Sequence, residues 1–157
     1  MKRMWAPWRM EYIKGDGEEG CFLCRIIEEH DDRENLFLKR GKYCGIVMNR
    51  YPYNNGHLMV FPYRHSGALK DLDSNTRLEM MDLLDECVEK LSPSLKPDGF
   101  NVGINLGRAA GAGLAEHLHV HVVPRWNGDT NFMPLFAETK IIPQSLMDLY
   151  EELAPLF

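Results

Sequence analysis

The spacing of apolar residues changes period several times along the chain. Leu23, Ile26 and Ile27 fall at helical intervals within 22–30, and Asp31-Asp32 closes that run. Three short stretches rich in strand-forming residues follow, 35–39, 43–48 and 57–61, with Gly, Asn and Pro punctuation and a Gly41-Lys42 turn between them. They predict an antiparallel meander. From Asp73 or Ser74 the pattern becomes helical again. Met80, Leu83, Leu84, Cys87, Val88 and Leu91 make one apolar stripe that should cover a sheet face, and Pro93 is expected to end the helix. Two further strands, 100–106 and 118–123, flank a loop rich in Gly and Ala, and a last helix follows Pro143. This order predicts an α+β fold, a mostly antiparallel sheet covered by helices. No internal repeat or long linker divides the chain, so residues 1–157 read as one domain. Residues 1–20, with Trp5, Pro7, Trp8, Tyr12 and the Gly15-Asp16-Gly17 break, read as an irregular arm that packs onto the core or onto a second subunit.

Composition narrows the partners. The 157 residues are 45% hydrophobic and 26% charged, the balance of a chain that buries a core. A net charge of -5 argues against nucleic acid as a partner, because phosphate backbones are held by bulk positive charge. A small phosphate-bearing ligand in a locally positive pocket stays compatible with it. Pro7 and Arg9 interrupt any apolar run at the start, and no stretch approaches the ~18 apolar residues of a membrane span. A cytoplasmic protein without a membrane partner is the expectation. Of the four cysteines, Cys44 and Cys87 sit in apolar runs and read as inert buried thiols. Cys21 and Cys24 have the spacing of a metal clip or a redox pair. They follow a Gly/Glu stretch rather than a buried strand, which favours metal.

Three of the six histidines alternate in 117–123. On a strand His117, His119 and His121 share one face, while Leu118, Val120 and Val122 point into the core. Three imidazoles in a row need hydrogen-bond partners that apolar residues would not, so they argue for chemistry. One metal ion cannot easily take all three, since positions i to i+4 span ~13 Å of strand. A nucleophile flanked by helpers fits better, and His119 is the middle member. Imidazole attacks phosphorus well when its far nitrogen is held by an acceptor. By contrast His30, beside Glu28, Glu29, Asp31 and Asp32, reads as part of a solvated acidic surface.

The run HLHVHVVPRW resembles the signature of the histidine-triad superfamily. The likeness extends to Asn49-Arg50-Tyr51-Pro52, Gly56-His57-Leu58-Met59-Val60 and Pro62-Tyr63-Arg64-His65, and covers most of residues 21–126. WAPWRMEYI and LAEHLHVHVVPRWNGDTNF are most similar to the bacterial diadenosine tetraphosphate phosphorylase-like branch. The resemblance implies an enzyme, a nucleotidyl transferase or hydrolase of dinucleoside polyphosphates. His119 would attack the α-phosphorus to form a nucleotidyl-histidine, His121 would contact the phosphate or leaving group, and His57 would orient the triad. Asn49 would hold the ribose hydroxyls. Asn105 would face the phosphate beside a loop containing Gly107, Gly111 and Gly113, whose missing side chains let backbone N–H groups approach oxygens. It further implies a structural zinc on Cys21, Cys24, His65 and His117 and a homodimer. The motifs demand no metal for the chemistry itself, and Mg²⁺ is expected only as a companion of the substrate polyphosphate. Arg125, Arg108 or the glycine loop would supply donors for phosphate as the second-step acceptor. One departure stands out: Gly113-Leu114-Ala115-Glu116 replaces the Gln-Ser or Gln-Thr pair of many members. The rival readings are a hydrolase of dinucleoside polyphosphates or nucleoside phosphoramidates, a nucleotide-binding regulator without turnover, and a zinc-stabilised interaction module.

Overall fold

The computed structural model describes residues 20–129 and 142–157. The expected arm, with Trp5 and Trp8, lies outside the described residues. The elements run α1 (Phe22–Glu28), β1 (Phe37–Arg40), β2 (Cys44–Met48), β3 (Leu58–Pro62), α2 (Ser74–Leu95), β4 (Gly99–Ile104), β5 (Val120–Arg125) and α3 (Leu146–Leu153). The sheet order is β1-β2-β3-β5-β4, and every neighbouring pair is antiparallel. The fold is α+β, as the pattern predicts.

Strands β2, β3 and most of β5 are buried, while the edge strand β4 is largely exposed. On one face of the sheet, Ile46, Met48, Leu58, Val60, Val120 and Val122 pack against Met80, Leu84, Cys87 and Leu91 of α2 and Leu149 and Leu153 of α3. The alternation on β5 places Leu118, Val120 and Val122 here, where each fully buried aliphatic contributes about 1.5–3 kcal/mol. On the other face Phe37, Val47, Met59 and Phe61 pack against Leu23 and Ile26 of α1 and against Leu114. Cys44 and Cys87 are fully buried, and burial pushes both thiols up to about 12, so they stay protonated and inert.

Arg40 fixes α1 to the sheet. Its guanidinium donates to the carbonyls of Ile26, Ile27 and Glu29 and to the Asp32 carboxylate, at 2.7–3.0 Å for its closest contacts. Those carbonyls belong to the last turn of the helix, which has no partners of its own for them. The guanidinium also lies 4.2 Å from the centre of the Phe37 ring.

The boundaries of α2, β4 and β5 differ from the pattern in ways that bear on the site. Helix α2 begins where expected, with the Asp73 side chain accepting from Thr76 N at 2.8 Å, but it runs through Pro93 to Leu95. Ser92 Oγ donates to Val88 O at 2.6 Å beside the proline, and Lys96 in the left-handed region closes the helix by donating to Ser92 O. Strand β4 stops at Ile104, before Asn105. Strand β5 begins at Val120 and extends to Arg125. Leu118 N donates instead to Ser66 O at 2.8 Å, so His117 and His119 precede the strand while keeping its alternation. Among the described residues no helix is long and apolar enough to cross a membrane.

Candidate active site

His117, His119 and His121 are all buried, on the side of the segment opposite Leu118, Val120 and Val122. The rings of His119 and His121 are 4.9 Å apart at a steep angle, and those of His121 and His57 are 5.0 Å apart. His57 arrives from the start of β3, whose Met59 is the register partner of His121.

Two backbone contacts and one contact between imidazoles decide which nitrogen of each ring carries the proton. His119 Nδ1 lies 2.9 Å from His117 O, a carbonyl that can only accept, so Nδ1 holds the hydrogen and Nε2 keeps its lone pair. Tyr53 N donates to His57 Nδ1 at 3.0 Å, so the His57 proton sits on Nε2. That proton faces His121 Nδ1 at 2.9 Å, which leaves His121 with its hydrogen on Nε2. The result is an acceptor nitrogen on His119 beside a donor nitrogen on His121. Burial lowers the pKa of His119 below the ordinary histidine range, against the opposing hydrogen bond to His117 O, and keeps the ring neutral. Asn49 Nδ2 is 3.5 Å from His57 Nε2. The nitrogen already donates to His121, so this is a contact rather than a second bond; the Asn49 Oδ1 accepts from Tyr51 N.

A cleft of ≈ 380 Å³ opens on this face between β4, β5 and the 51–57 loop. His121 and Asn105 line it, and so do Tyr53, Asn54, Asn101 and Asp129, which the sequence reading does not single out. Tyr53 has a sequence signal only in hindsight, as the aromatic four residues before His57. Its ring centre is 4.5 Å from that of His57. Arg125, one of the donors expected for phosphate, also lines the cleft and is engaged by neighbouring side chains. Its Nε and Nη2 donate to the two Asp129 oxygens at 2.6 and 2.9 Å, and its Nη1 donates to Asn101 Oδ1 at 2.6 Å. Pairing raises its pKa further, through the Asp129 hydrogen bond first.

The glycine loop holds its own shape. Gly107 has φ +81°, where a side chain would be strained, and its carbonyl accepts from Ala110 N and Ala112 N, while Gly111 N donates to Arg108 O. Three of the expected phosphate donors are therefore used inside the loop. Gly113 is exposed between the buried Ala112 and Leu114, so the loop is anchored on either side of it.

Cys21, Cys24, His65 and His117 converge at the N-terminus of α1, with ligand atoms all within 4.8 Å of one another. The Cys21 and Cys24 sulfurs lie 3.2 and 3.5 Å from His117 Nδ1, and Cys24 Sγ lies 3.2 Å from His65 Nδ1. Tetrahedral bonds of ~2.3 Å to sulfur and ~2.0–2.1 Å to nitrogen put neighbouring ligand atoms roughly 3.3–3.8 Å apart. The cluster can hold a metal ion with small adjustments. His117 Nε2 donates to Pro62 O at 2.7 Å, which directs the Nδ1 lone pair at the thiols, as a carbonyl acceptor orients a histidine that binds metal. Burial and then the Cys21 sulfur push the Cys24 thiol up to about 11, a repulsion that a cation would reverse.

The sequence model of the HIT domain matches residues 32–128. The chain is 43% identical over 162 aligned positions to the AP-4-A phosphorylase of Mycobacterium tuberculosis, covering 98% of this chain and 83% of that protein. Among solved structures it resembles a hypothetical histidine triad nucleotide-binding protein of Sulfolobus tokodaii, with TM-score 0.66 and 28% identity over 87% of this chain and 88% of that one. It also resembles a Zn-bound histidine triad family protein of Mycobacterium smegmatis, with TM-score 0.69 and 25% identity over 89% and 94% of the two chains.

Proposed function

This chain belongs to the HIT domain family, and from that premise we propose that it is an enzyme that transfers a nucleotidyl group from a dinucleoside polyphosphate, through a nucleotidyl-histidine, to inorganic phosphate. The observation that carries the reading is the pairing of a bare Nε2 on His119 with a protonated Nε2 on His121, each fixed through backbone atoms. His119 Nε2 attacks the α-phosphorus and the bond to the leaving phosphate oxygen breaks, while His121 Nε2–H donates to that oxygen. His57 is the positioning residue that sets the His121 tautomer. Asn49 serves the ribose hydroxyls. Asn105 and the loop of Gly107, Gly111 and Gly113 flank the phosphates, which carry Mg²⁺ as part of the substrate. A binder without turnover has no use for a nucleophile held in this tautomer.

The acceptor in the second step is phosphate in this reading, supported by the name of the M. tuberculosis relative. Diadenosine tetraphosphate should give ADP and ATP when phosphate is present. His119→Asn should lower turnover ~10⁴-fold or more, as loss of covalent catalysis does, with folding intact. Chromatography of the products decides the acceptor. AMP and ATP at saturating phosphate would make water the acceptor, and turnover of the variant within tenfold of the parent would remove His119 from its role.

The metal at Cys21, Cys24, His65 and His117 is zinc in this reading, since two thiolates with two imidazoles suit it and close its tetrahedron. Such an ion supplies folding energy and leaves no position for substrate. Cys21→Ser should abolish stoichiometric zinc and lower the unfolding midpoint by roughly 10 °C, taking several kcal/mol at ~2–4 °C each for a chain of this length. Protein purified without chelator and free of zinc in elemental analysis would contradict the assignment.

A second copy pairs along β4. This edge strand carries the exposed apolar side chains Val102 and Ile104, followed by Leu106, at 49, 37 and 50% exposure. Unpaired backbone beside an apolar row favours a symmetric partner. The intact chain should sediment as a dimer and Ile104→Lys as a monomer; a monomeric parent at micromolar concentration would refute the pairing.

A further inference from the structure

His121 and Asn105 stand at one end of the cleft, and its other end lies away from every residue given a role in the chemistry. From His121 the cleft continues along β5 past Val123 to Arg125, four residues or ~13 Å of strand. Its floor on the β4 side is set by register: Gly103 pairs with His121 and Asn101 with Val123. Cross-strand partners share a face, so a side chain at 103 would stand in the cleft opposite His121. A Cβ built on Gly103 meets no atom within 4 Å, so this space is not taken by packing.

The far end has a definite chemical character. Arg125 and Asp129 form a two-point ion pair, and Asp129 also accepts from Asn54 Nδ2 at 2.9 Å. Their charges cancel where they stand, and a carboxylate there repels an anion. Asn101 gives its Oδ1 to Arg125, which leaves its amide NH₂ as the donor end of that side chain. The end of the cleft is thus neutral and rich in hydrogen-bonding groups, suited to a sugar and base rather than to a phosphate. We propose that the leaving nucleotide runs along this lane, its phosphates passing over Gly103 and its nucleoside held at the far end by Asn101 and Arg125, and that Gly103 is the specificity-determining residue that keeps the lane open. The lane rests on the nucleotidyl-transfer reading above and adds to it which half of the substrate is recognised, and where. A substrate with a small leaving group does not enter it.

A Cβ at 103 meets no atom within 4 Å and the position lies on an exposed strand, so the melting temperature and assembly state of Gly103→Leu should match the parent. The test compares two substrates that share the nucleotidyl half, diadenosine tetraphosphate and adenosine 5′-phosphoramidate, whose leaving group is ammonia. In Gly103→Leu, kcat/KM for the dinucleotide should fall about 30-fold, mostly through KM, the loss that follows when a bound nucleoside is displaced. For the phosphoramidate it should stay within threefold. Asn101→Leu, on the same face, should show the same selectivity and decides the matter if Gly103→Leu misfolds or fails to assemble. Equal losses on both substrates, no loss on the dinucleotide, or a raised KM for phosphate alone would overturn the lane. A parent that turns over the phosphoramidate and not the dinucleotide would also overturn it, leaving the nucleophile in place. A parent that turns over neither would bring down the nucleotidyl-transfer reading itself.

Discussion

The hydrogen bond from His119 Nδ1 to the carbonyl of His117 is the contact on which the rest of the site depends. It converts a buried neutral imidazole, which could carry its proton on either nitrogen, into one with a lone pair on Nε2. A carbonyl can do this only if it does not move. That of His117 is held from several sides: His117 Nε2 donates to Pro62 O, Leu118 N donates to Ser66 O, and Gly67 packs so closely on the Ala115 carbonyl that a Cβ would sit 2.2 Å from it. The segment after β3 therefore grips the segment before β5. His65, two residues short of Gly67, and His117 also reach the same cysteine pair. One short stretch of backbone thus serves the metal-type cluster through His117 and orients His119, the proposed nucleophile.

The two faces of the sheet divide the work. The face under α2 and α3 is ordinary aliphatic packing, and it supplies the rigidity. The face under α1 is aromatic near the cysteines and polar toward β4, where imidazoles replace apolar side chains. Burying those rings has a cost that partners must offset, and His57, His117, His119 and His121 each have one within 3.0 Å. The chain of contacts from Tyr53 N through His57 to His121 is ordered by backbone geometry, so it is in place before substrate arrives.

Much of this was legible in the residues and some was not. The alternation in 117–123 and the α2 stripe identify their core faces because burial imposes the period. The boundaries moved where a long-range partner intervened: Ser66 took the N–H of Leu118 from the ladder, and a serine side chain helped α2 through Pro93. The convergence of Cys21, Cys24, His65 and His117 came from family resemblance, since no local pattern links positions 21 and 117. Tyr53, Asn101 and Asp129 could not be found in advance. They act through loop geometry and sheet register, which have no signature in spacing. The commitment of Arg125 to Asp129 was equally hidden, because an arginine reads the same in a sequence whether free or paired.

Two backbone contacts and the hydrogen bond between His57 and His121 fix three tautomers. Long-range ¹H–¹⁵N correlation spectra of the imidazoles at neutral pH report them directly. Hydrogen should be found on Nδ1 for His119 and on Nε2 for both His57 and His121. A His119 ring protonated on Nε2, or a His57 ring protonated on Nδ1, would contradict this arrangement.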